Sequence, residues 1–104
     1  MLCFLSVRTL RPGAWDAFRR AWEPREWPEG FIRAYHLRDP QNPDRVVSFG
    51  LFEGELSDVE RLRGDPAFEA VERERQAAMG AHVASAEIDG IFEVIDEVRP
   101  PGRS

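Results

Sequence analysis

The chain has 104 residues, of which 42% are hydrophobic and 32% charged, and its formal net charge is −5. One domain of this length buries only roughly 60 to 70% of the surface that its unfolded chain exposes, so a partner subunit would add to a modest stability. The negative charge, with arginines interleaved among glutamates, argues against binding to nucleic acids or acidic membranes, because phosphate binding needs a clustered positive surface.

The chain begins with a predicted strand, Leu2 to Leu10, in which both alternating sets of side chains are largely apolar. A Pro-Gly turn follows it. The next segment, from about Gly13 to Glu23, is predicted to be a helix, because Trp15, Phe18 and Trp22 recur at i, i+3 and i+7 along one stripe. The order at this end of the chain is therefore strand, then amphipathic helix.

A β-hairpin is predicted in the middle of the chain. Its strands are Phe31 to Arg38 and Arg45 to Phe52, and Asp39 to Asp44 form the turn. The first strand, with Phe31 and Tyr35 on one face, carries charges that suit a sheet edge, whereas the second is apolar on both faces. The second strand is therefore expected in the interior of the sheet.

Two helices are predicted after the hairpin. Ser57 and Glu60 have the spacing of a capping box for a short helix that ends at Gly64. Asp65 as N-cap and Pro66 at the first helical position then begin a longer helix.

The last predicted strand, Gly90 to Val98, is again apolar on both faces. The order strand, helix, strand, strand, helix, strand predicts an α+β fold of the ferredoxin-like βαββαβ type, with a four-stranded antiparallel sheet and both long helices on one face. Residues 1–98 would form this domain, and residues 99–104 a flexible C-terminal tail.

Two helices can cover only one face of such a sheet, yet the strands predict a second apolar face. We therefore expect a two-fold homodimer that buries at least roughly 1,200 Å² in total. The alternative is a monomer whose loops and tail cover the sheet, but the loops are short and polar.

The ends and the single cysteine give further expectations. The apolar run Met1 to Val7 is too short to span a bilayer and lacks a basic leader, so we expect no membrane segment, no secretory signal and a cytoplasmic protein. Cys3 has no second cysteine with which to form an internal disulfide.

Several short motifs together resemble the antibiotic biosynthesis monooxygenase family, over about residues 2 to 98. They are Gly30-Phe31, residues 37–47 through the hairpin, Phe52-Glu53, and Asp65-Pro66-Ala67-Phe68. The resemblance implies a homodimer whose two sheets pair as a dimeric α+β barrel, with a cleft between sheet and helices in each subunit. Members include cofactor-independent oxygenases of polycyclic phenols, haem-degrading enzymes, quinol oxygenases and proteins without known activity, so the resemblance alone leaves the activity open.

The haem-degrading branch can be compared position by position. Its members carry an asparagine on the first strand, a tryptophan before the long helix and a histidine within that helix as the iron ligand. Ser6, Leu62 and Glu72 stand at those positions here. Glutamate replaces neutral imidazole poorly on haem iron, so haem degradation is disfavoured.

Candidate catalytic residues are few. His36 and His82 are the only histidines and no C-x-x-C motif occurs, so we expect no metal site. Glu72, one turn into the long helix, would face the sheet as a base, or else belong to a solvated charged ladder. His36 is the alternative base, or else a surface or interface residue. The candidate substrate-binding residues are Phe4, Ser6, Arg8, Trp27, Tyr35, Leu62 and Phe68.

Two classes of function follow. In the first, the resemblance implies a cofactor-independent monooxygenase of small aromatic compounds such as phenols or hydroquinones, in which the protein supplies a base, a dry pocket and polar contacts. In the second, the same cleft holds a small ligand without catalysis, and the dimer has a binding or structural role.

Overall fold

A computed structural model describes residues 1–102 of the chain. Its elements are β1 (Leu2–Leu10), α1 (Trp15–Trp22), β2 (Phe31–Asp39), β3 (Asn42–Phe52), α2 (Leu56–Arg63), α3 (Pro66–Gly80) and β4 (Val83–Glu93). The strands form one antiparallel sheet in the order β2-β3-β1-β4. This confirms the predicted α+β, ferredoxin-like fold.

The last strand differs from its prediction. β4 begins at Val83 and ends at Glu93, where the sequence predicted a strand from Gly90 to Val98. The reason is pairing: β4 lies along β1 from Leu10↔Val83 to Leu2↔Glu93, so residues beyond Glu93 have no neighbouring strand. The separate flexible tail stays a prediction, and its residues 103 and 104 lie outside the described part of the chain. Within residues 1–102, no helix has the length and apolar character needed to cross a membrane.

The hairpin is longer than predicted, and only Pro40 and Gln41 lie between its strands. The side chain of Asp39 accepts a hydrogen bond from the Gln41 backbone N–H at 2.8 Å, which closes the turn. Asp39 pairs with Asn42 after a register shift that follows Arg38.

The two later helices begin with different caps. The predicted Ser57–Glu60 capping box is wrong: Glu55 is the N-cap of α2, and it forms the box with Asp58. The backbone N–H of Glu55 donates to the Asp58 carboxylate at 2.8 Å. The cap of α3 is as predicted, because Asp65 Oδ1 accepts from the Ala67 N–H at 3.0 Å and a proline occupies the first turn.

The helices pack on one face of the sheet. Leu10 of β1, Phe18 of α1, Val46 of β3 and Met79 of α3 form the larger buried cluster. Phe18 is fully buried at its centre. A second cluster lies under α2 and consists of Leu2, Phe52 and Val59.

The opposite face of the sheet, which we call the helix-free face, is apolar as predicted. Alternate residues of each strand point to it. Tyr35, Leu37, Ile88 and Phe92 of this face are 44 to 50% exposed in the single chain. Such a contiguous apolar surface is unusual for a sheet that contacts water.

The central position of Phe18 predicts the largest loss of stability from a single truncation. Phe18→Ala should lower the free energy of unfolding by about 3–5 kcal/mol, because it leaves a cavity between both helices and the sheet. Urea denaturation followed by circular dichroism measures this. Leu56→Ala, at a position 45% exposed, is the control and should cost well under half as much. Equal losses would contradict this description of the core.

Candidate functional site

A cavity of about 670 Å³ lies between the sheet and α3. Its floor is formed by side chains of the sheet, its roof by α2 and α3, and its side by the end of α1 and the segment that follows it. The floor includes Phe4, Ser6, Arg8, Phe31, Ser48, Asp89 and Ile91, the roof Leu62, Phe68, Glu72, Arg75 and Met79, and the side Trp22 and Trp27.

Aromatic rings line one side of this cavity. The ring centroids of Trp27 and Phe31 lie 4.6 Å apart, and those of Trp22 and Trp27 lie 5.9 Å apart. Trp27 is 48% exposed. Flat apolar walls of this kind suit a flat ligand.

A row of polar side chains crosses the floor. The sheet register places His36, Ser48, Ser6 and Asp89 side by side on four adjacent strands. The Ser6 hydroxyl donates to Asp89 Oδ1 at 3.1 Å, and His36 Nδ1 lies 2.8 Å from Ser48 Oγ. Ser6 and Ser48 are both buried. A polar strip therefore crosses the base of the cavity.

Arg8 lies next to this row on β1 and is partly buried. Its guanidinium carbon lies 5.5 Å from the centroid of the Phe18 ring. Burial lowers the pKa of Arg8, while the charge of Asp89 raises it and that of Arg75 lowers it further. The site therefore holds a cation in a poorly solvated position.

The carboxylate on the roof is held by its own helix. Glu72 Oε1 accepts from Arg75 Nη1 at 2.7 Å and from Gln76 Nε2 at 2.8 Å. Arg75 also donates through Nε to the backbone carbonyl of Trp22 at 2.5 Å. These contacts connect α3 to the end of α1 and fix one wall of the cavity.

His36 lies beyond the cavity, between two tryptophans. Its ring centroid is 5.3 Å from that of Trp15 and 4.5 Å from that of Trp22, both in near-perpendicular arrangements. Its Nε2 is buried and has no hydrogen-bond partner among residues 1–102. Burial lowers the pKa of His36 below its ordinary 6.5, and the charges of Arg19 and Arg8 lower it further, so the ring is neutral at pH 7.

The structure brings together most of the residues that the sequence suggested. Seven of them line the cavity: Phe4, Ser6, Arg8, Trp27, Leu62, Phe68 and Glu72. His36 is separated from the cavity by Ser48, and Tyr35 lies on the helix-free face with its ring centroid 5.2 Å from that of Phe49. Tyr35 lies on the helix-free face because the register of β2 shifts between Phe31 and Arg33. The simple alternation that predicted Phe31 and Tyr35 on one face does not continue across that shift.

Sequence reasoning missed Asp89, Ser48 and Arg75, among other polar residues that line the cavity. Asp89 was placed outside the last predicted strand, although its alternation with Ile91 carried the signal. Ser48 lies in an otherwise apolar strand, and Arg75 is one of several charged residues on its helix. Nothing in the sequence therefore marked either of them as a site residue. In the described part of the chain, no three His, Cys, Asp or Glu side chains lie close enough together to form a candidate metal site.

No family model and no curated protein matches the chain by sequence. Solved structures do match it over nearly its whole length. A protein assigned as an antibiotic biosynthesis monooxygenase from Chloroflexus aurantiacus J-10-fl is 15% identical, with 94% of this chain and 96% of that one covered and a TM-score of 0.67. A mutant of SnoaB, a cofactor-independent oxygenase from Streptomyces nogalater, is 18% identical, with 95% and 97% covered and a TM-score of 0.70.

A third match has the same character. The protein from Caulobacter crescentus CB15, also assigned as an antibiotic biosynthesis monooxygenase, is 14% identical, with 91% and 90% covered and a TM-score of 0.66. At these identities the likeness shows the fold, and it confirms for the fold the resemblance that the sequence motifs indicated.

The half-buried position of His36, with its Nε2 atom inaccessible to water, predicts a pH-dependent stability. The pKa of His36 is lower in the folded chain than in the unfolded chain. As the pH falls through 6.5, the unfolded chain therefore binds a proton at this residue before the folded chain does. The free energy of unfolding decreases from pH 6.5 down to the pKa that His36 has in the folded chain. Urea midpoints should therefore fall between pH 7.5 and 5.5, above the range in which exposed carboxylates titrate. His36→Gln should flatten this dependence and His82→Gln should not. An unchanged slope in His36→Gln would show that the ring titrates freely.

Proposed function

We propose that the chain is a member of the antibiotic biosynthesis monooxygenase proteins and acts as a cofactor-independent monooxygenase of small aromatic compounds of the phenol or hydroquinone type. The observation that carries this proposal is the aromatic-walled cavity, whose floor and roof each present a carboxylate. Support also comes from the fold shared with SnoaB, which is described as a cofactor-independent oxygenase.

The proposed reaction oxidises an activated CH₂ or ring CH of the bound compound. A base removes a proton, and the resulting carbanion or enolate transfers electrons to dioxygen and forms a C–O bond. One oxygen atom remains as a carbonyl, and the other leaves as water with two hydrogens of the substrate. Both come from the CH₂, or one comes from the ring CH and the other from the phenol O–H. The substrate supplies all the electrons, so the protein has to supply orientation, a base and exclusion of water.

Glu72 is the residue that we propose as the base. It is partly buried on the roof, and Arg75 and Gln76 fix the position of its carboxylate. Asp89, oriented by Ser6, would accept a hydrogen bond from a substrate hydroxyl on the floor. His36 lies behind Ser48, so we give it no direct contact with substrate.

The catalytic unit that we propose is a homodimer. The apolar helix-free face of one subunit would pair with the same face of a second, giving a dimeric α+β barrel. Support comes from Tyr35, Leu37, Ile88 and Phe92, which are large apolar side chains about half exposed on this one face.

A ligand-binding role without catalysis is the second candidate. It is favoured by one observation: the roof carboxylate and the floor carboxylate already accept hydrogen bonds from the protein, Glu72 from two side chains and Asp89 from one. Catalysis needs a base that is free to take a proton, whereas a site that only binds its ligand does not.

Oxygen uptake separates these two functions. Wild-type protein should consume O₂ with some members of a panel of anthrone-like and hydroquinone compounds. Glu72→Gln should lower the rate by about 100-fold or more, the usual contribution of a general base. Glu69→Gln, one turn earlier on α3 and exposed, is the matched control and should retain the wild-type rate. Absence of uptake across the panel would contradict catalysis and favour the binding role.

The dimer is tested by charge placed on the helix-free face. Leu37→Asp should give a species of half the wild-type mass by light scattering at micromolar concentration, because two-fold symmetry buries the unpaired carboxylate twice. Val71→Asp, 40% exposed on α3, is the control and should leave the mass unchanged. A wild-type protein with the mass of one chain would disprove the pairing.

A further inference from the structure

Arg8 is the one charged side chain of the cavity floor that has no partner of its own. Among residues 1–102, neither an ion pair nor a hydrogen bond joins its guanidinium to another group, and its pKa is moved by burial and by the charges of Asp89 and Arg75. The guanidinium lies over the ring of Phe18. A guanidinium has five N–H donors, and those of Arg8 are not buried away from the cavity, so they are available to a ligand that enters it.

The surrounding charges limit what can bind there. Arg75 is paired with Glu72, whereas the Asp89 carboxylate keeps its charge, accepts a hydrogen bond from Ser6 and acts on Arg8 only through that charge. Arg8 therefore keeps a positive charge that can attract a ligand. The charge of the Asp89 carboxylate also acts at this position. A group with one negative charge is attracted to this position, whereas a dianion such as a phosphate would be repelled by Asp89.

The planar fork of a guanidinium matches the two oxygens of a carboxylate. A phenol is a weaker candidate for the same place because, with an ordinary pKa near ~10, it is uncharged at neutral pH. The aromatic rings of Trp22, Trp27 and Phe31 lie along the same cavity. A ligand that uses both features is a flat aromatic ring that carries a carboxylate.

We propose that the cavity binds aromatic monocarboxylates and that Arg8 holds their carboxylate on the floor of the sheet. This inference rests on the proposed function, from which it takes the aromatic part of the ligand. It adds that the ligand carries one carboxylate. It also orients the ring, because the carboxylate at Arg8 places the remainder of the ligand between the tryptophan wall and the Glu72 roof.

The test is a binding measurement without turnover. Isothermal titration under nitrogen compares 2-naphthoate with 2-naphthamide, which has nearly the same shape and no charge. Wild-type protein should bind the acid about 10- to 100-fold more tightly, the range expected for hydrogen bonds to a charged group. Equal affinity for acid and amide would overturn the proposal, as would tighter binding of 2-naphthyl phosphate than of 2-naphthoate.

Variants assign the preference to Arg8. Arg8→Met should abolish the preference for the acid and leave amide affinity within about 2-fold, and Arg8→Lys should retain part of the preference. Arg20→Met, which removes an exposed arginine of α1, makes the same change in net charge and should behave as wild type. Thermal melting of each variant checks that it is folded. Retention of the full acid preference in folded Arg8→Met would overturn the assignment.

Failure of this inference is distinct from failure of the proposed function. Acid preference that depends on Arg8, without O₂ uptake on any substrate, would support the anion site and contradict the oxygenase. O₂ uptake with neutral phenols, without acid preference, would support the oxygenase and overturn the anion site.

Discussion

The structure depends on the double pairing of β1. This strand is hydrogen-bonded to β3 on one edge and to β4 on the other, and its registers with both neighbours assign each side chain of the sheet to one face. One set of its residues reaches the helices and the cavity, and the alternate set reaches the helix-free face. A slip of one residue would exchange the core for the exposed face and would remove Ser6 and Arg8 from the cavity together.

The polar row on the floor has no evident benefit for folding. Buried serines at positions 6 and 48 occupy sites where valine or alanine would pack at lower cost, because a buried hydroxyl loses its bonds to water. Their hydroxyls find partners only in Asp89 and His36, which are polar in turn. Polar groups that break the pattern of a core in this way are more often found at functional sites than elsewhere.

The fold was predictable from sequence where local signals were complete, and the site was less so. Both ends of β1 were predicted correctly because its apolar run ends before a proline and a glycine. The start of α3 was predicted correctly because Asp65 and Pro66 mark it directly. The extent of β4 and the facing of Tyr35 depend on where a neighbouring strand ends and on a register shift. Such pairing is non-local, so the pattern within one segment does not contain it.

The proposed dimer interface and the proposed anion site both include residues of β1. Val7 of β1 points to the helix-free face, while Ser6 and Arg8 on either side of it point to the cavity. A second subunit packed on the helix-free face of β1 would restrict the backbone that carries both polar groups, and a rigid backbone reduces the entropy lost when Arg8 binds an anion. On this argument the proposed dimer would contribute to ligand affinity without supplying a residue to the cavity.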